Sequence, residues 1–486
     1  MLADDVLLEV FSHCRFRTLG RNNITQEEDL EEDLEEDLED DLEESPSCPT
    51  WNWLYLVHVC RRWRQITFAS PRRLDLQILC KYGSPVRKNL GIWPPIPIAL
   101  QYGDYWRSLS PSDEDDVIAA LKHPDRISQI SLYITESQLA KVVAEMHEPF
   151  PLLQTLCIHP KGGDTLTIPY GFLGGSAPSL QKIELFKVSY PTLPTLLLST
   201  SNLVELNLIS IPSTGYISPD VMAAHLTALP KLNTLHLGLP PASSTQIPPP
   251  PITRNVLPSL HDLLFLGDCQ YLEDFVARID TPQLESVVIN YWDQDIIFQV
   301  PQLSEFLNRS ESLKRNLSTH CRIRLSFEVY FDIAGLTDDG DVRWDPAVSI
   351  AVRSRGVALQ MFHLTHVLGW IYPTLSTLVH FSIESDSLPP ASEELDEIGW
   401  LQLLWPFSYV KTLFVSDKFA GHVSRALAEL VVFMIASMLP ALHVLCLEGQ
   451  PVSSVDRLIS FRQESDCPIT FVNTETEFRE RQGSYL

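Results

Sequence analysis

The chain has 486 residues, of which 45% are hydrophobic, and it is long enough for one small and one large folded domain or for a single extended repeat array. Its formal net charge is −26, but residues 27–44 contain fourteen acids, so the other 468 residues have a net charge of −12. This mildly acidic balance argues against general nucleic-acid binding.

The cysteines and the apolar runs of the sequence indicate the cellular compartment in which the protein acts. The nine cysteines are scattered without a Cys-x-x-Cys spacing, and several lie in apolar runs, as Cys157 and Cys446 do. This is typical of a reducing environment. Asp4 and Asp5 stand where a signal peptide would be cationic, and the apolar run 427–439 is too short to cross a membrane. We therefore expect a cytoplasmic or nuclear protein, or both, without a membrane partner.

The first predicted element is a helix near the N-terminus. Its apolar side chains recur at helical spacing, and Asp4 and Asp5 are early enough to favour the helix dipole. The apolar stripe consists of Leu2, Val6, Leu7, Val10, Phe11 and Cys14.

Residues 54–66 predict a second amphipathic helix. Leu56, Val59, Cys60, Trp63 and Ile66 recur at gaps of 3, 1, 3 and 3, which would place them on one face of a single helix. The arginines of this stretch would lie on the opposite side.

Together the two helices resemble an F-box. The matching phrases are Leu-Ala-Asp-Asp-Val-Leu at 2–7 and Val-Cys-Arg-Arg-Trp at 59–63, with Ala3 where the family carries Pro and Asp5 where it carries Glu. The resemblance implies binding to the Skp-type adaptor of a cullin ubiquitin ligase. It assigns apolar contacts, within the module or with the adaptor, to Leu2, Val6, Leu7, Val10, Phe11, Leu56, Val59, Cys60, Trp63 and Ile66. The alternative is two ordinary core helices of a larger domain.

An acidic insertion interrupts this module of residues 1–70 at about 20–50. Within it, leucines recur every fourth residue from Leu30 to Leu42 among the fourteen acids of the tract 27–44. The tract could dock a basic partner, although like charges at i, i+3 and i+4 spacing oppose a helix. We favour a low-complexity expansion, since added loop length costs little closure entropy.

A connecting segment follows at 71–125. Alternation at Leu74, Leu76 and Ile78 predicts a strand, and residues 96–100 predict another. This segment, including the phrase at 86–90, is similar to the one that follows the F-box in a large group of fungal F-box proteins.

A repeat of the form Leu-x-x-Leu-x-Leu fills residues 126–473, and the first five intervals are 27, 23, 29, 28 and 24 residues. Such periods are typical of leucine-rich repeats, in which a strand and a helical return stack on their neighbours. Segments such as 219–226 predict the returning helices. The alternative is a set of unrelated strands in an α/β domain. The units begin at Leu153, Leu180, Leu203, Leu232, Leu260, Leu284, Leu375, Val410 and Leu442.

The interval between 284 and 375 is irregular, although residues 323–329 alternate as a strand should and the acids at 338–341 predict a turn. The proline-rich stretch 246–252 reads as a surface loop, with a polyproline ligand as the alternative. Residues 474–486 form a polar tail.

No catalytic constellation is evident. The glycine-rich stretch 171–178 lacks the Gly-Lys-Ser/Thr of a phosphate-binding loop, so it predicts a turn between repeats. His363 and His366 are three residues apart, but no nearby Cys or His at a recognised spacing completes a metal site. We therefore expect neither an enzyme, nor a metal, nor a cofactor.

The predicted fold class is α/β, with a short N-terminal helical F-box followed by a leucine-rich-repeat-like solenoid. The resemblance implies a substrate-recruiting subunit of a Skp–cullin–F-box ubiquitin ligase. The alternatives are a scaffold that is not coupled to ubiquitination and an unrecognised enzyme. The expected partners are the adaptor, through it a cullin, and an unknown protein substrate, but not nucleic acid. The outward positions that could line a recognition face are Lys182, Glu184, Glu205, Asn207, Thr234 and His236.

Overall fold

The structure is a computed structural model in which the chain divides into two compact units, residues 1–131 and 132–486. The predicted acidic insertion, proline-rich loop, turn at 338–341 and polar tail lie outside the residues that the structure describes. The described ranges are 3–13, 52–71, 73–74, 76–103, 107–163, 165–240, 253–292, 299–325, 329–336, 342–353, 357–371, 375–385, 397–432, 439–449, 455–464 and 468–472.

The first unit begins with helices and continues with alternating strands and helices. Its elements are α1 (Asp4–His13), α2 (Asn52–Val59), α3 (Arg61–Ala69), β1 (Ile78–Cys80), α4 (Val86–Ile92), β2 (Ile98–Tyr102) and α5 (Pro111–Leu121). Strand β3 (Ile127–Thr135) carries the chain into the second unit.

Residues 71–125 form a parallel βαβ arrangement in which Ile78 of β1 is paired with Ile98 of β2. The predicted strand at 74–78 is shorter than expected, because only Ile78 of that alternating set belongs to β1. Helix α5 begins with a capping box between Ser110 and Asp113. Asp113 also accepts a hydrogen bond from the Gly83 backbone N–H at 2.9 Å, so α5 fixes the turn before α4.

The second unit alternates short strands with short helices. Its elements are α6 (Glu136–Ala144), β4 (Thr155–Lys161), β5 (Leu166–Thr167), β6 (Lys182–Phe186), β7 (Val188–Ser189), α7 (Leu193–Leu197), β8 (Glu205–Ile209), α8 (Pro219–Leu226), β9 (Thr234–Gly238), β10 (Asn255–Val256), β11 (Asp262–Gly267), α9 (Cys269–Val276), β12 (Ile279–Asp280), β13 (Ser286–Trp292), α10 (Pro301–Arg309), α11 (Glu311–Asn316), β14 (Leu317–Leu325), β15 (Val329–Leu336), β16 (Val342–Arg353), α12 (Val357–Trp370), β17 (His380–Ser385), α13 (Glu397–Leu404), β18 (Thr412–Val415), α14 (Asp417–Val432), β19 (Val444–Leu447), α15 (Asp456–Glu464) and β20 (Thr470–Val472).

The repeating strands form one continuous sheet, which confirms the α/β solenoid. Their spatial order is β4-β6-β8-β9-β11-β13-β16-β15-β14-β17-β18-β19-β20. Adjacent repeats pair in parallel and in register, so Leu206 lies between Ile183 and Leu235. These leucine positions are fully buried, whereas the residues between them face the open side of the sheet. Helix α8 has the predicted bounds 219–226.

Polar side chains directly before three of the leucine units bond to a proline carbonyl of the previous repeat. The Ser179 hydroxyl donates to the Pro151 carbonyl at 2.6 Å, and the Ser259 hydroxyl donates to the Pro230 carbonyl at 2.8 Å. The Asn202 amide makes the equivalent bond to Pro178 at 3.2 Å. Each of these bonds satisfies a proline carbonyl at a turn between repeats.

The glycine-rich stretch 171–178 forms the predicted turn, a 3-10 turn at Phe172–Gly175. Gly174 has φ +59° there, and a Cβ atom on it would lie 2.7 Å from the Pro149 backbone nitrogen. A side chain at this position would therefore require both a strained backbone and displacement of Pro149.

The irregular interval between 284 and 375 is an antiparallel meander inserted into the parallel sheet. Strands β14, β15 and β16 pair as antiparallel neighbours, while β16 runs parallel to β13 and β14 runs parallel to β17. The prediction of one strand over 323–329 is wrong. Residues 323–325 end β14 and Val329 begins β15, which runs antiparallel to β14, while 326–328 lie outside the described residues. The meander thus joins two runs of regular repeats without interrupting the sheet.

The unit predicted to begin at Leu375 is out of phase by three residues. The register pairs Phe381 with Leu413 and His380 with Thr412, so the equivalent unit begins at Leu378. A start at Leu375 would put His380 in the last inward position. Strand β17 instead turns its apolar residues Phe381 and Ile383 to the core and His380 to the open face.

Candidate interaction surfaces

In the first unit, helices α1 and α3 pack through an aromatic pair and an ion pair, and Arg73 after α3 adds a second ion pair to α1. The rings of Phe11 and Trp63 have centroids 4.7 Å apart. Two guanidinium nitrogens of Arg62 lie 2.6 and 3.1 Å from one Asp4 carboxylate oxygen. Arg73 reaches the Glu9 carboxylate at 3.0 Å. The N-terminal helix and the helix after the insertion therefore belong to one packed cluster.

The residues predicted to contact an adaptor separate into an inner and an outer set. Leu7, Phe11 and Ile66 are buried, and Leu56 and Trp63 are half-buried. The outer set is solvent-exposed and consists of Val6 at 45%, Val10 at 46%, Val59 at 58% and Cys60. Leu2 lies outside the described residues. The inner set holds the helices together, and the outer set presents an apolar surface.

The prediction of a single helix through 54–66 is wrong. Cys60 has extended backbone angles, φ −158° and ψ 169°, and separates α2 from α3. Its thiol accepts a hydrogen bond from the Trp63 backbone N–H at 3.4 Å, so it caps the second helix. The break changes which side chains face inward, because Val57 is fully buried while Val59 is exposed.

In the second unit, the open face of the parallel sheet places the outward side chains in rows. The register aligns Lys182 with Glu205 and Thr234, and aligns Glu184 with Asn207 and His236. All six predicted recognition positions therefore lie on one face. Asn207 is less accessible than expected, because neighbouring side chains on that face cover it to 7% exposure.

The Glu184 cluster consists of His159, Lys182, Glu184 and Glu205. The Lys182 ammonium lies 2.8 Å from a carboxylate oxygen of Glu184 and 2.8 Å from one of Glu205, and His159 Nε2 lies 2.8 Å from Glu184. The His159 hydrogen bond and the Lys182 contact lower the pKa of Glu184 to about 2 despite its partial burial. Burial opposes ionisation of Lys182, but its two carboxylate partners raise its pKa overall.

Rings lie beside this cluster on the same face. His159 stacks on Phe186 with centroids 5.8 Å apart and meets Tyr133 edge-on at 6.1 Å. The ammonium groups of Lys161 and Lys187 lie 5.1 and 5.4 Å from the rings of Tyr133 and Phe186. The face therefore combines fixed charges with flat apolar surface, a mixture that is common in protein recognition sites.

The Asp332 cluster, formed by Arg322, Arg324, Asp332 and Ser349, lies on the meander. Arg322 Nε and Arg324 Nε approach one Asp332 oxygen at 3.1 and 2.8 Å, and the Ser349 hydroxyl donates to the other at 2.7 Å. Sequence reasoning missed this cluster, because it requires the pairing of three strands. The signal present was the alternation in 317–325, which puts both arginines on one side.

Two histidines also stack on this face. The rings of His320 and His380, on the paired strands β14 and β17, have centroids 4.2 Å apart and are nearly parallel. Burial and the neighbouring His380 lower the pKa of His320 to about 4. Burial and Lys411 also lower the pKa of His380, so both rings are neutral at pH 7.

The described part of the chain contains no group of three His, Cys, Asp or Glu side chains arranged as metal ligands. His363 is buried in α12, and Nδ1 of His366 lies 2.9 Å from the Phe362 carbonyl oxygen of its own helix. Within the same ranges, no helix is both long and apolar enough to cross a bilayer.

Comparison with known proteins adds little to this picture. Scans of family profiles and of curated protein sequences find no match to this chain. Among solved structures, the leucine-rich repeat-containing protein LegL7 from Legionella pneumophila is 12% identical, over 81% of this chain and 99% of that one, with a TM-score of 0.25. A TM-score this low supports no conclusion about this chain. The evidence for the repeat fold is the strand register.

Proposed function

We propose that this protein is the substrate-recruiting F-box subunit of a Skp–cullin–F-box type ubiquitin ligase. Helices α1 to α3 would bind the Skp-type adaptor, and the open strand face of the second unit would bind the protein to be ubiquitinated. In this role the chain is non-catalytic and acts in the cytoplasm or nucleus, without nucleic acid, membrane or cofactor.

The observation that carries the proposal is the division of residues on α1. Leu7 and Phe11 pack inward, whereas Val6 and Val10 leave an apolar stripe exposed. Exposed apolar surface rimmed by polar groups marks interaction sites. Val59 and Cys60, at the junction of α2 and α3, are a second exposed apolar pair in the same unit.

The test is co-purification of the full chain with a Skp-type adaptor. We expect Val10→Glu to abolish the complex, because it places a charge in an apolar interface. Ile92→Glu on α4 is the matched control, since Ile92 is also exposed on a helix of the first unit. If Val10→Glu and Ile92→Glu bind the adaptor as the wild type does, the α1 surface is not the site. If the wild type does not bind, the F-box assignment fails.

A scaffold that binds the adaptor without joining a ligase is the second candidate. Ala3 in place of the family's Pro and the acidic insertion within the module favour it. Measuring cullin in the purified complex separates the two, since the ligase subunit must recruit cullin through the adaptor. Comparison with a variant lacking 27–44 tests the tract. Stronger binding without it would make the tract inhibitory, and equal binding would make it a passenger.

A further inference from the structure

The helical side of the second unit has an open apolar groove of about 760 Å³ between α12 and α13. The two helices contact each other. The residues that line the groove recur at the same spacing on both segments, with successive gaps of 3, 1, 3 and 1 residues. They are Phe362, Thr365, His366, Gly369 and Trp370 from α12, and Ile398, Leu401, Gln402, Trp405 and Pro406 from α13 and the two residues after it.

Both helices are apolar on two sides. The core side of α12 buries residues such as Met361, Leu364 and Leu368, while Phe362 and Trp370 on its outer side are 41% and 42% exposed. The second segment behaves alike, with Leu403 buried but Ile398 and Trp405 more than 60% exposed. Helices that are apolar all round are normally covered on both sides. An exposed patch of this kind marks a site of association.

The chemistry of the lining restricts what can cover it. None of the ten lining residues carries a fixed charge, although 20% of the chain is charged. The Thr365 hydroxyl donates to the Met361 carbonyl at 2.8 Å, and His366 Nδ1 contacts the Phe362 carbonyl oxygen. The Thr365 hydroxyl and Nδ1 of His366 are thus engaged with their own helix. The occupant must therefore present an uncharged surface, because a buried unpaired charge is costly.

Because the groove offers few polar groups, it favours one backbone conformation of the occupant over another. An extended peptide would bring backbone N–H and C=O groups into a groove that offers them few partners. A helix satisfies those groups internally and presents apolar residues on one side at i, i+3, i+4 and i+7.

The area of the groove face indicates whether a single helix or a second copy of this chain would cover it. Helix α12 has fourteen residues and α13 has eight, which span about 21 Å and about 12 Å. With each helix about 10 Å wide, the pair offers a face of about 330 Å². This is less than half of the roughly 800 Å² per partner in a standard stable interface. A single helix of about fourteen residues covers such a face, whereas a stable dimer needs more.

We propose that the groove between α12 and α13 binds one amphipathic helix of a partner protein through an uncharged apolar stripe, with Trp370 and Trp405 as the principal anchors. This site lies on the helical side of the repeats and is additional to the strand face proposed to bind the ubiquitination target.

The probe is a phage-displayed library of random 16-residue peptides, selected on the full chain and counter-selected on Trp405→Ser. We expect enriched peptides with apolar residues at i, i+3 or i+4, and i+7 and without charge in that stripe. A synthesised winner should gain helical circular dichroism on binding, and Trp405→Ser should weaken its affinity more than about 10-fold. Phe362→Ser provides the same test if Trp405→Ser does not fold.

Tyr170→Ser is the matched control, because Tyr170 is an 84% exposed aromatic residue of the same unit that does not line the groove. It should leave the affinity within about 2-fold. Failure to enrich any peptide that distinguishes the wild type from Trp405→Ser would overturn the proposal, as would winners that bind without becoming helical. A concentration-dependent dimer that Trp405→Ser dissociates would also overturn it, by identifying the occupant as a second copy.

Discussion

On the strand face, the Glu184 carboxylate contacts both His159 and Lys182 at 2.8 Å. Its contacts with His159 and Lys182 stabilise the charged form, which lowers its pKa from 4.5 to about 2. A carboxylate whose pKa is lower in the folded state stabilises the fold fully above the unfolded pKa. That stabilisation is lost as the pH falls through the folded pKa. The relevant window is therefore about pH 4.5 down to pH 2.

Replacing Glu184 with Gln tests this linkage. At pH 6 we expect the wild type to have a larger free energy of unfolding by about 1–2 kcal/mol, since the ion pair with Lys182 is lost in the variant. The difference should shrink towards zero as the pH falls from 4.5 to near 2. Urea unfolding at pH 6, 4 and 3 measures it, with Glu145→Gln as an exposed control. A difference independent of pH would show that ionisation of Glu184 is not the cause.

Asp332 is a different case, because its side chain is only 1% exposed and is bonded by two arginines and a serine. We expect Asp332→Asn to lower the free energy of unfolding by about 3–5 kcal/mol, since the arginines keep their charge without the carboxylate. Ser349→Ala removes one hydrogen bond to the same group and should cost only about 1–2 kcal/mol. Equilibrium urea unfolding compares them. Equal, small losses would mean that the charge pairs contribute little.

At the scale of single elements, Cys60 marks the point at which α2 ends and α3 begins. Cys60 is the N-cap residue of α3, and its thiol is a weak acceptor for the hydrogen bond from the Trp63 backbone N–H. We expect Cys60→Ser to raise the stability of the first unit by about 0.5 kcal/mol and Cys60→Ala to lower it by about as much. Thermal unfolding followed by circular dichroism gives the order of midpoints. A continuous helix through residue 60 would reverse that order, because Ala favours a helix interior more than Ser does.

The repeat elements were predictable because their signal is local. Leu203, Leu206 and Leu208 recur within six residues, and the strand at 205–209 buries the last two of them. The phase of the unit near Leu375 was assigned wrongly, although the local sequence contains the answer. A start at Leu375 ends on His380, whereas a start at Leu378 ends on the apolar pair Phe381 and Ile383. The pairing of β17 with β18 agrees with the start at Leu378.

The helix break at Cys60 and the Asp332 cluster were not predicted, and the two omissions have a similar cause. A helical stripe and a stripe broken by a cap share the same apolar spacing, so the gaps around Cys60 could not reveal the break. The Asp332 cluster joins residues of β14, β15 and β16, and its central contact depends on antiparallel register. The strand face at Lys182 and Glu184 was predictable, since a parallel repeat fixes which residues point outward.

At the scale of the whole molecule, the meander separates two runs of regular repeats. One run comprises β4, β6, β8, β9, β11 and β13, and the other comprises β17 to β20. Within each run, every strand of the large sheet pairs with the next one along the chain that belongs to that sheet. In such an array each repeat is stabilised mainly by the repeats beside it. Damage to one repeat should therefore remain local, even though the sheet is continuous.

Two equivalent buried leucines test this locality. Leu206 on β8 and Leu445 on β19 are both fully buried, so each change to Ala should cost about 2–5 kcal/mol in its own repeat. Hydrogen exchange followed by mass spectrometry should show lost protection in β6, β8 and β9 for Leu206→Ala, with β18 to β20 unchanged. Leu445→Ala should give the converse, and each variant is the control for the other. Uniform loss of protection over both runs in either variant would mean that the array unfolds as one cooperative unit, with the meander transmitting stability between the runs.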